Sequence, residues 1–512
     1  MAPYDLLGYD VMLAVGLLRF GLDLSETKVG ALLEDGWRLP LAQSTISRLS
    51  TEFLVRWRML CEERLPTLLP RLAPLLLQID GTIVPGAPVT FRARDARIGL
   101  TLWADQLEAE SKAEVVRFLR AFRDRFGVPV LVIRDLSPTL REAVAEVFPG
   151  VPQQEDHFHF LADLAPIVLP DYEPLRHGLL EGEALARLAH GSRSLPLEGR
   201  TLEELVRVWV RLALEWVDAA REHPGGFPWH LPYLEVARRI TRVTRWCDHL
   251  LAAHRHRRIA VPSELVEVRR RLTALLDREA VRVPYGRLER EVGLWTELRA
   301  AMRAERNRRS VEDLPSLAAG EVVEVQRAIE EAGCRFVLYG EWAEAIWAKV
   351  GARFEAHRGY LWVIVPGLEQ VVRSTVALER AHREDRRGVR HRTGQSATGP
   401  EMGRLGALLA FWSNARCRWF VAEGLVGVNL WEEFARQDPK EVTRRLRALP
   451  REGHRPRVAV TAGRRQERLE ALVQLLDGVA PIEPGLSAWA ASVGLDASSR
   501  RAVRSCDRHW IS

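Results

Sequence analysis

The chain has 512 residues, 47% of them hydrophobic and 28% charged, with 74 Lys+Arg against 68 Asp+Glu and a formal charge of +6. No apolar run approaches the ~18 residues of a membrane-spanning helix, which excludes that class and leaves a globular chain with ample core, of roughly three domains by length. Five cysteines, at 61, 247, 334, 417 and 506, lie far apart and lack zinc-finger spacing, so neither a disulfide framework nor a zinc module is expected. With an acid in Met1-Ala-Pro-Tyr-Asp5 where a secretory leader carries lysine or arginine, the expected compartment is a reducing cytoplasm. All but four of the positive side chains are arginine, whose fork matches phosphate oxygens, although composition alone favours the plainer reading of a GC-rich genome or a hot habitat.

Residues 1–70 read as helical. A short amphipathic stretch after Ser25 leads to a turn at Glu34-Asp-Gly-Trp-Arg-Leu39-Pro, and a second helix starts at Gln43. This pattern is that of a helix-turn-helix, whose second helix would offer Gln43, Ser44, Thr45, Ser47 and Arg48 to a DNA groove while Ile46 and Leu49 pack inward. An ordinary two-helix hairpin has the same pattern. Residues 71–165 change period. Strand-like runs at Leu75–Ile79, Val89–Arg94 and Ile98–Ala104 precede a helix over Ser111–Phe126, a buried strand over Val128–Ile133 and a helix over Thr139–Val147. Three strands followed by strand–helix alternation is the order of an RNase H-like α/β mixed sheet, with the first three strands antiparallel and the fourth beside the first. A Rossmann arrangement fits less well, because no glycine-rich loop follows the first strand.

Residues 166–365 read as a large all-α insertion rich in tryptophan, with arginine clusters at His254–Arg258 and Arg303–Arg309 that suit either a solvated helix face or a phosphate track. Residues 366–450 read as further helices, Gly367–Arg387 and Glu401–Phe420, and 451–512 as a mixed C-terminal tail.

Asp80 and Asp135 close two apolar runs that this sheet makes neighbours. Their carboxylates would converge at one sheet end, where like charges repel unless a divalent cation joins them. Taken singly, Asp80-Gly-Thr reads as a turn and Asp135-Leu-Ser-Pro as a helix cap.

Three segments in order carry a resemblance: Leu76-Leu-Gln-Ile-Asp80-Gly-Thr82, Val132-Ile-Arg-Asp135, and Gln154-Glu-Asp-His-Phe-His159-Phe-Leu161. They resemble the catalytic core of bacterial insertion-sequence DDE transposases related to the Mutator-like group. In that family the third segment usually reads Gln-x-Cys-x-x-His-x-Leu; here Asp156 stands at the cysteine position and His159 at the histidine. The third acid precedes an Arg-Arg-x-Thr-Gly-like stretch, which points to Glu379 ahead of Arg386-Arg387 and Arg390-His-Arg-Thr-Gly394, with Glu401 in reserve; the family's asparagine pair before that acid is missing.

The resemblance implies that Asp80, Asp135 and Glu379 hold two Mg2+ ions (or Mn2+). It also implies a helical insertion between the second and third acids, and cleavage of element ends followed by strand transfer into target DNA. Double-stranded DNA is then the partner, no membrane is involved, and two ends held together imply a homodimer or larger assembly. Arg383, Arg386, Arg387, Arg390 and Arg392, close in sequence to Glu379, would grip phosphates. His157 and His159 would lie near the site, at least one of them as a hydrogen-bonded histidine on a strand flanking the core. Two other readings remain at this point: a decayed or domesticated transposase that binds DNA without cutting it, and an RNase H-like structure-specific nuclease.

Overall fold

A computed structural model describes residues 7–85, 87–181, 190–191, 194–196, 198–199, 201–222, 227–304, 316–368 and 370–450. The expected tail over 451–512 and positions 305–309 of the second arginine cluster lie outside the described residues. The chain divides into two compact units. One is built from the described parts of Met1–Leu161, Arg299–Arg335 and Gly351–Val460, the other from those of Ala162–Leu298 and Phe336–Val350.

The first unit begins with α1 (Tyr9–Gly16), α2 (Glu26–Trp37) and the long α3 (Gln43–Leu72). Ser25 caps α2 by accepting the Lys28 N–H. Only the first turns of α3 carry the polar residues expected of a recognition helix. Beyond them Phe53, Trp57, Leu60 and Leu65 are buried in the same core as the sheet, so residues 9–72 share that core instead of forming one of their own.

The sheet contains β1 (Leu76–Thr82), β2 (Val89–Asp95), β3 (Thr101–Leu107), β4 (Leu131–Arg134) and β5 (Gln153–Glu155), in the order β3-β2-β1-β4-β5. β1 pairs antiparallel with β2 and parallel with β4, β2 pairs antiparallel with β3, and β4 pairs parallel with β5. The fold is therefore mostly helical with a five-stranded mixed sheet, and the fourth strand lies beside the first. α4 (Lys112–Phe126) and α5 (Pro138–Val147) supply the crossovers between β3 and β5. Ser111 caps α4, Gly127 (φ +84°) ends it, and Val115, Leu119 and Phe122 form its buried stripe.

Alternation along β1 separates two cores. Leu77 and Ile79 join the large core with α3 and α4, whereas Leu76 packs with Leu131 and Ile133 under Val363, Val365 and Val372. Val363, Val365, Leu368 and Val372 thus cover the second face of the sheet. This overturns the expected helix over Gly367–Arg387. The chain stays irregular there, with a short β7 (Gln370–Val371) paired to β6 (Leu317–Ala318), and the helix, α14, runs over Val376–Thr393 until Gly394 stops it at φ +67°. The expected helix over Glu401–Phe420 is also shorter, as α15 (Gly399–Trp412). Asn414 leaves the helical path there to donate to Thr101 O (2.8 Å) and accept from Thr101 N (2.9 Å), joining the chain to β3. Three short helices follow: α16 (Arg418–Gly424), α17 (Leu430–Arg436) and α18 (Pro439–Ala448).

The second unit is all helical among the described residues. It is built on α6 from Ala162 onward (the helix spans His157–Val168), α7 (Tyr172–Leu180), α8 (Leu202–Ala219), α9 (Pro232–His256), α10 (Ser263–Asp277) and α11 (Glu279–Ala301), with the adjoining turns of α12 (Ala319–Leu338) and α13 (Glu341–Leu361). Trp216 and Trp246 stack at 5.3 Å between ring centres, placing tryptophan in its core.

Candidate active site

The register of β1 on β4 pairs Leu76 with Leu131, Leu77 with Val132 and Gln78 with Ile133. Continued by two residues, it sets Asp80 opposite Asp135, one strand spacing of ~4.8 Å apart. The register of β4 on β5, which pairs Arg134 with Glu155, likewise sets Asp135 opposite Asp156. Period-two alternation puts Asp80 on the face of Leu76 and Gln78, the face that Val363, Val365, Leu368, Val372 and Ser374 and then α14 cover.

α14 lies against β1. Arg386 Nη1 donates to Thr82 Oγ1 at 2.6 Å, Asp385 pairs with the buried Arg92 of β2, and His382 is fully buried. Glu379, His382 and Arg386 recur at helical spacing, so one face of α14 carries the third acid toward the first. Burial pushes the Asp80 carboxyl well above the usual range; the nearby His159 cation opposes this, and the carboxylates of Glu379, Asp135 and Glu110 add to it. The structure therefore groups Asp80, Asp135 and Glu379. Glu401, the reserve candidate, sits in the first turn of α15, and its charge acts on Arg392.

His159 stands among the acids. Its Nδ1 donates to Asp156 Oδ2 at 3.0 Å and its Nε2 lies 3.2 Å from Glu379 Oε1. Burial opposes its protonation, but the Asp156 hydrogen bond and charge, with Glu379 and Asp80, outweigh that and raise the imidazole to about 10. It is a cation at neutral pH. His157 has a different role. It is buried, its Nδ1 accepts from Arg373 Nε at 3.0 Å, its Nε2 bonds Leu361 O, and its ring meets Trp362 edge-on at 4.3 Å. Burial first, then the Arg373 charge, lower it to about 3, so it is neutral. Neither histidine lies on a strand as expected: both occupy the first turn of α6, because Asp156 accepts the Phe158 N–H at 2.7 Å and so caps a helix there.

Sequence reasoning noted Asp156 only as a departure from a motif. The structure makes it the support of the third acid. Besides Phe158 and His159 it accepts from Thr375 N at 2.8 Å and from Thr375 Oγ1, at the threshold of α14. Burial acts to raise its carboxyl, but the bonds from His159 and Thr375 hold it below the usual range. Gln78 Nε2 donates to Ser374 O at 2.7 Å and Gln154 Nε2 to Leu361 O at 2.7 Å, so β1 and β5 both hold the segment that delivers Glu379. An aspartate at a strand end, two positions before the residue it caps, was the available signal.

Glu110 was also missed. It follows β3, and its Oε2 lies 2.9 Å from where a Cβ on Gly81 would stand; burial, then the Asp135 charge, raise it to about 7. Its signal was an acid directly ahead of the Ser111 cap.

The expected DNA contacts separate into two groups and an exception. Gln43, Ser44 and Arg48 are exposed and Thr45 and Ser47 half-buried on the first turns of α3, with Ile46 and Leu49 inward; Gln43 donates to Glu26 at 3.1 Å and Arg48 lies 3.7 Å from Glu52. Arg383, Arg387 and Arg390 form an exposed stripe on α14, with Arg386 half-buried beside Thr82. Arg392 cannot meet phosphate as expected: it is buried, pairs with Asp23 at 2.6 Å and lies 5.0 Å from the centre of the Phe20 ring.

The donor chemistry of Asp80, Asp135 and Glu379 suits a hard divalent ion, and their mutual repulsion is what such an ion relieves. As the side chains stand, among the described residues no three His, Cys, Asp or Glu groups close around one ion, and Glu379 is engaged by His159. No helix among the described residues is long and apolar enough to cross a membrane. Comparison with models of known protein families finds none that matches the chain, and comparison with curated proteins finds no match either.

Proposed function

We propose that the chain is a DNA transposase of the DDE class, with an RNase H-like catalytic unit and a helical insertion. The observation that carries this reading is the meeting of three acids distant in sequence: Asp80 and Asp135 in register on parallel strands, and Glu379 brought to them by α14. Asp80, Asp135 and Glu379 would hold magnesium, two ions of which, when bound, lower the pKa of an attacking water and neutralise charge at the phosphodiester. Asp156 and Thr375 fix the start of α14, and His159 holds Glu379 in place. The exposed guanidinium groups of Arg383, Arg387 and Arg390 grip phosphates beside the scissile bond, and the start of α3 gives a second DNA contact. Cleavage frees a 3′-hydroxyl, which the same site directs in line at a target phosphodiester. Two element ends require at least a dimer on DNA.

The engagement of Glu379 by His159 favours a second reading, a DNA-binding regulator without chemistry. The test incubates the full chain with magnesium and a labelled duplex carrying the DNA that brackets its coding sequence. Cleavage with strand joining supports the transposase, cleavage alone the nuclease, and binding alone the regulator. Asp80→Ala, Asp135→Ala and Glu379→Ala abolish chemistry and spare binding.

A further inference from the structure

The second unit carries a run of positive charge that the site described above leaves unused. Residues 232–258 contain seven arginines and two acids. Both acids are occupied: Glu235 accepts from Arg239 Nε at 2.8 Å and Asp248 from Arg269 Nε at 2.8 Å. Positions 238, 242, 245, 249 and 256 follow helical spacing along one side of α9. At the start of this stripe Arg238 is paired with Glu289 and Arg242 lies over the Trp216 ring. From there to the tip of the α9–α10 hairpin, Arg245, His249, Arg255, His256, Arg257 and Arg258 are all exposed. Among the described residues no carboxylate lies within 4.0 Å of Arg245, Arg255, Arg257 or Arg258.

The tip is a built turn. The buried His254 ring donates from Nδ1 to Ala260 O at 3.0 Å, Arg257 N bonds Ala253 O at 3.1 Å, and Ile259 N bonds His254 O at 3.0 Å. Arg258 takes φ +56°, a conformation that glycine adopts at lower cost, so the sequence keeps a charged side chain where the backbone favours none. The ridge from Arg245 to His256 is ~17 Å long at 1.5 Å per residue, and a duplex presents one charge per ~1.7 Å of its axis. Apolar anchors that a membrane surface would need are missing, since Ile259 alone is a large exposed hydrophobic residue on this turn, at 36%.

We infer that this ridge of α9 and its hairpin tip is a second, sequence-independent seat for the backbone of duplex DNA. The inference rests on the proposed transposase reading for its choice of duplex DNA. The test uses the full chain carrying Asp80→Asn, so that DNA is bound but not cut, and follows duplex affinity by fluorescence anisotropy from 50 to 300 mM KCl. Replacing Arg245, Arg255, Arg257 and Arg258 together by Ala should lower the slope of log affinity against log salt by about 3 to 4, at ~0.9 per phosphate contact. The four Lys replacements should restore it, which a merely misfolded variant would not allow. Equal slope and affinity in the Ala variant overturn this inference and leave the active-site reading standing, and so does a loss confined to RNA or to vesicles of anionic lipid. Failure of the parent chain to bind duplex at any salt overturns both.

Discussion

Asp156→Ala is the perturbation whose consequences the structure fixes most closely. The carboxylate is fully buried and accepts from Phe158 N, Thr375 N, Thr375 Oγ1 and His159 Nδ1. Removing it costs α6 its cap, ~1 kcal/mol. It also leaves the Thr375 N–H and hydroxyl buried without an acceptor, at ~1–3 kcal/mol per unsatisfied group. Together these give a loss of about 3–7 kcal/mol. For a unit of this size that corresponds to a fall in Tm on the order of 10 °C. Asp156→Asn keeps one acceptor oxygen and should lose less stability, yet it removes the charge that holds His159 as a cation beside Glu379. Calorimetry of both variants, paired with magnesium-dependent cleavage, separates the two roles. The Asn variant should fold and cleave poorly. An Ala variant as stable and as active as the parent would refute the assignment of Asp156 as the support of α14.

Other predictions concern single groups. Glu379→Gln should lower cleavage on the order of 10²-fold or more while Glu401→Gln leaves it unchanged, measured on one labelled duplex. Arg392→Ala should destabilise by about 2–4 kcal/mol, through its lost pair with Asp23 and packing on Phe20, and leave the salt slope of DNA binding unchanged. Gly81→Ala places a Cβ 2.9 Å from Glu110 Oε2 and 2.9 Å from Val89 Cγ1, so it should cost about 1–3 kcal/mol in thermal unfolding and reduce activity by displacing Glu110. His159 is raised from 6.5 to about 10, so its pairing contributes fully below pH 6.5 and is lost as pH rises toward 10. In metal-free buffer the parent should therefore lose more Tm than His159→Asn over that interval.

What the sequence disclosed follows physical lines. The four apolar runs that form β1 to β4 and the amphipathic α4 announce themselves by period, and the order of elements gave the placement of β4 beside β1; β5, the short polar Gln153–Glu155, carries no such signal. Asp80 and Asp135 were legible because each directly follows a buried apolar run, although β1 itself continues past Asp80 to Thr82. Glu379 was reached by resemblance; helical period alone cannot tell which acid on a long charged helix faces the sheet, and Glu379 stands 244 positions after Asp135 in the chain. The expected helix starts too early because Val363, Val365, Leu368 and Val372 are apolar for a reason that periodicity does not reveal: they roof the second face of the sheet. Arg392 was indistinguishable in sequence from its exposed neighbours, since it is buried by Asp23 and Phe20, which arrive from the segment between α1 and α2. The exposed start of α3 hid a helix whose other turns are central to the core.

If Asp80, Asp135 and Glu379 together seat the metal of the proposed chemistry, the chain binds a divalent ion tightly only while all three are intact. Titration of the full chain with Mn2+ followed by electron paramagnetic resonance tests it directly, because bound and free Mn2+ give different signals. Saturable binding is expected, weakened at least ~10-fold by each of Asp80→Asn, Asp135→Asn and Glu379→Gln and unchanged by Glu401→Gln. Binding indifferent to all three substitutions, or no saturable binding in the parent chain, would contradict it.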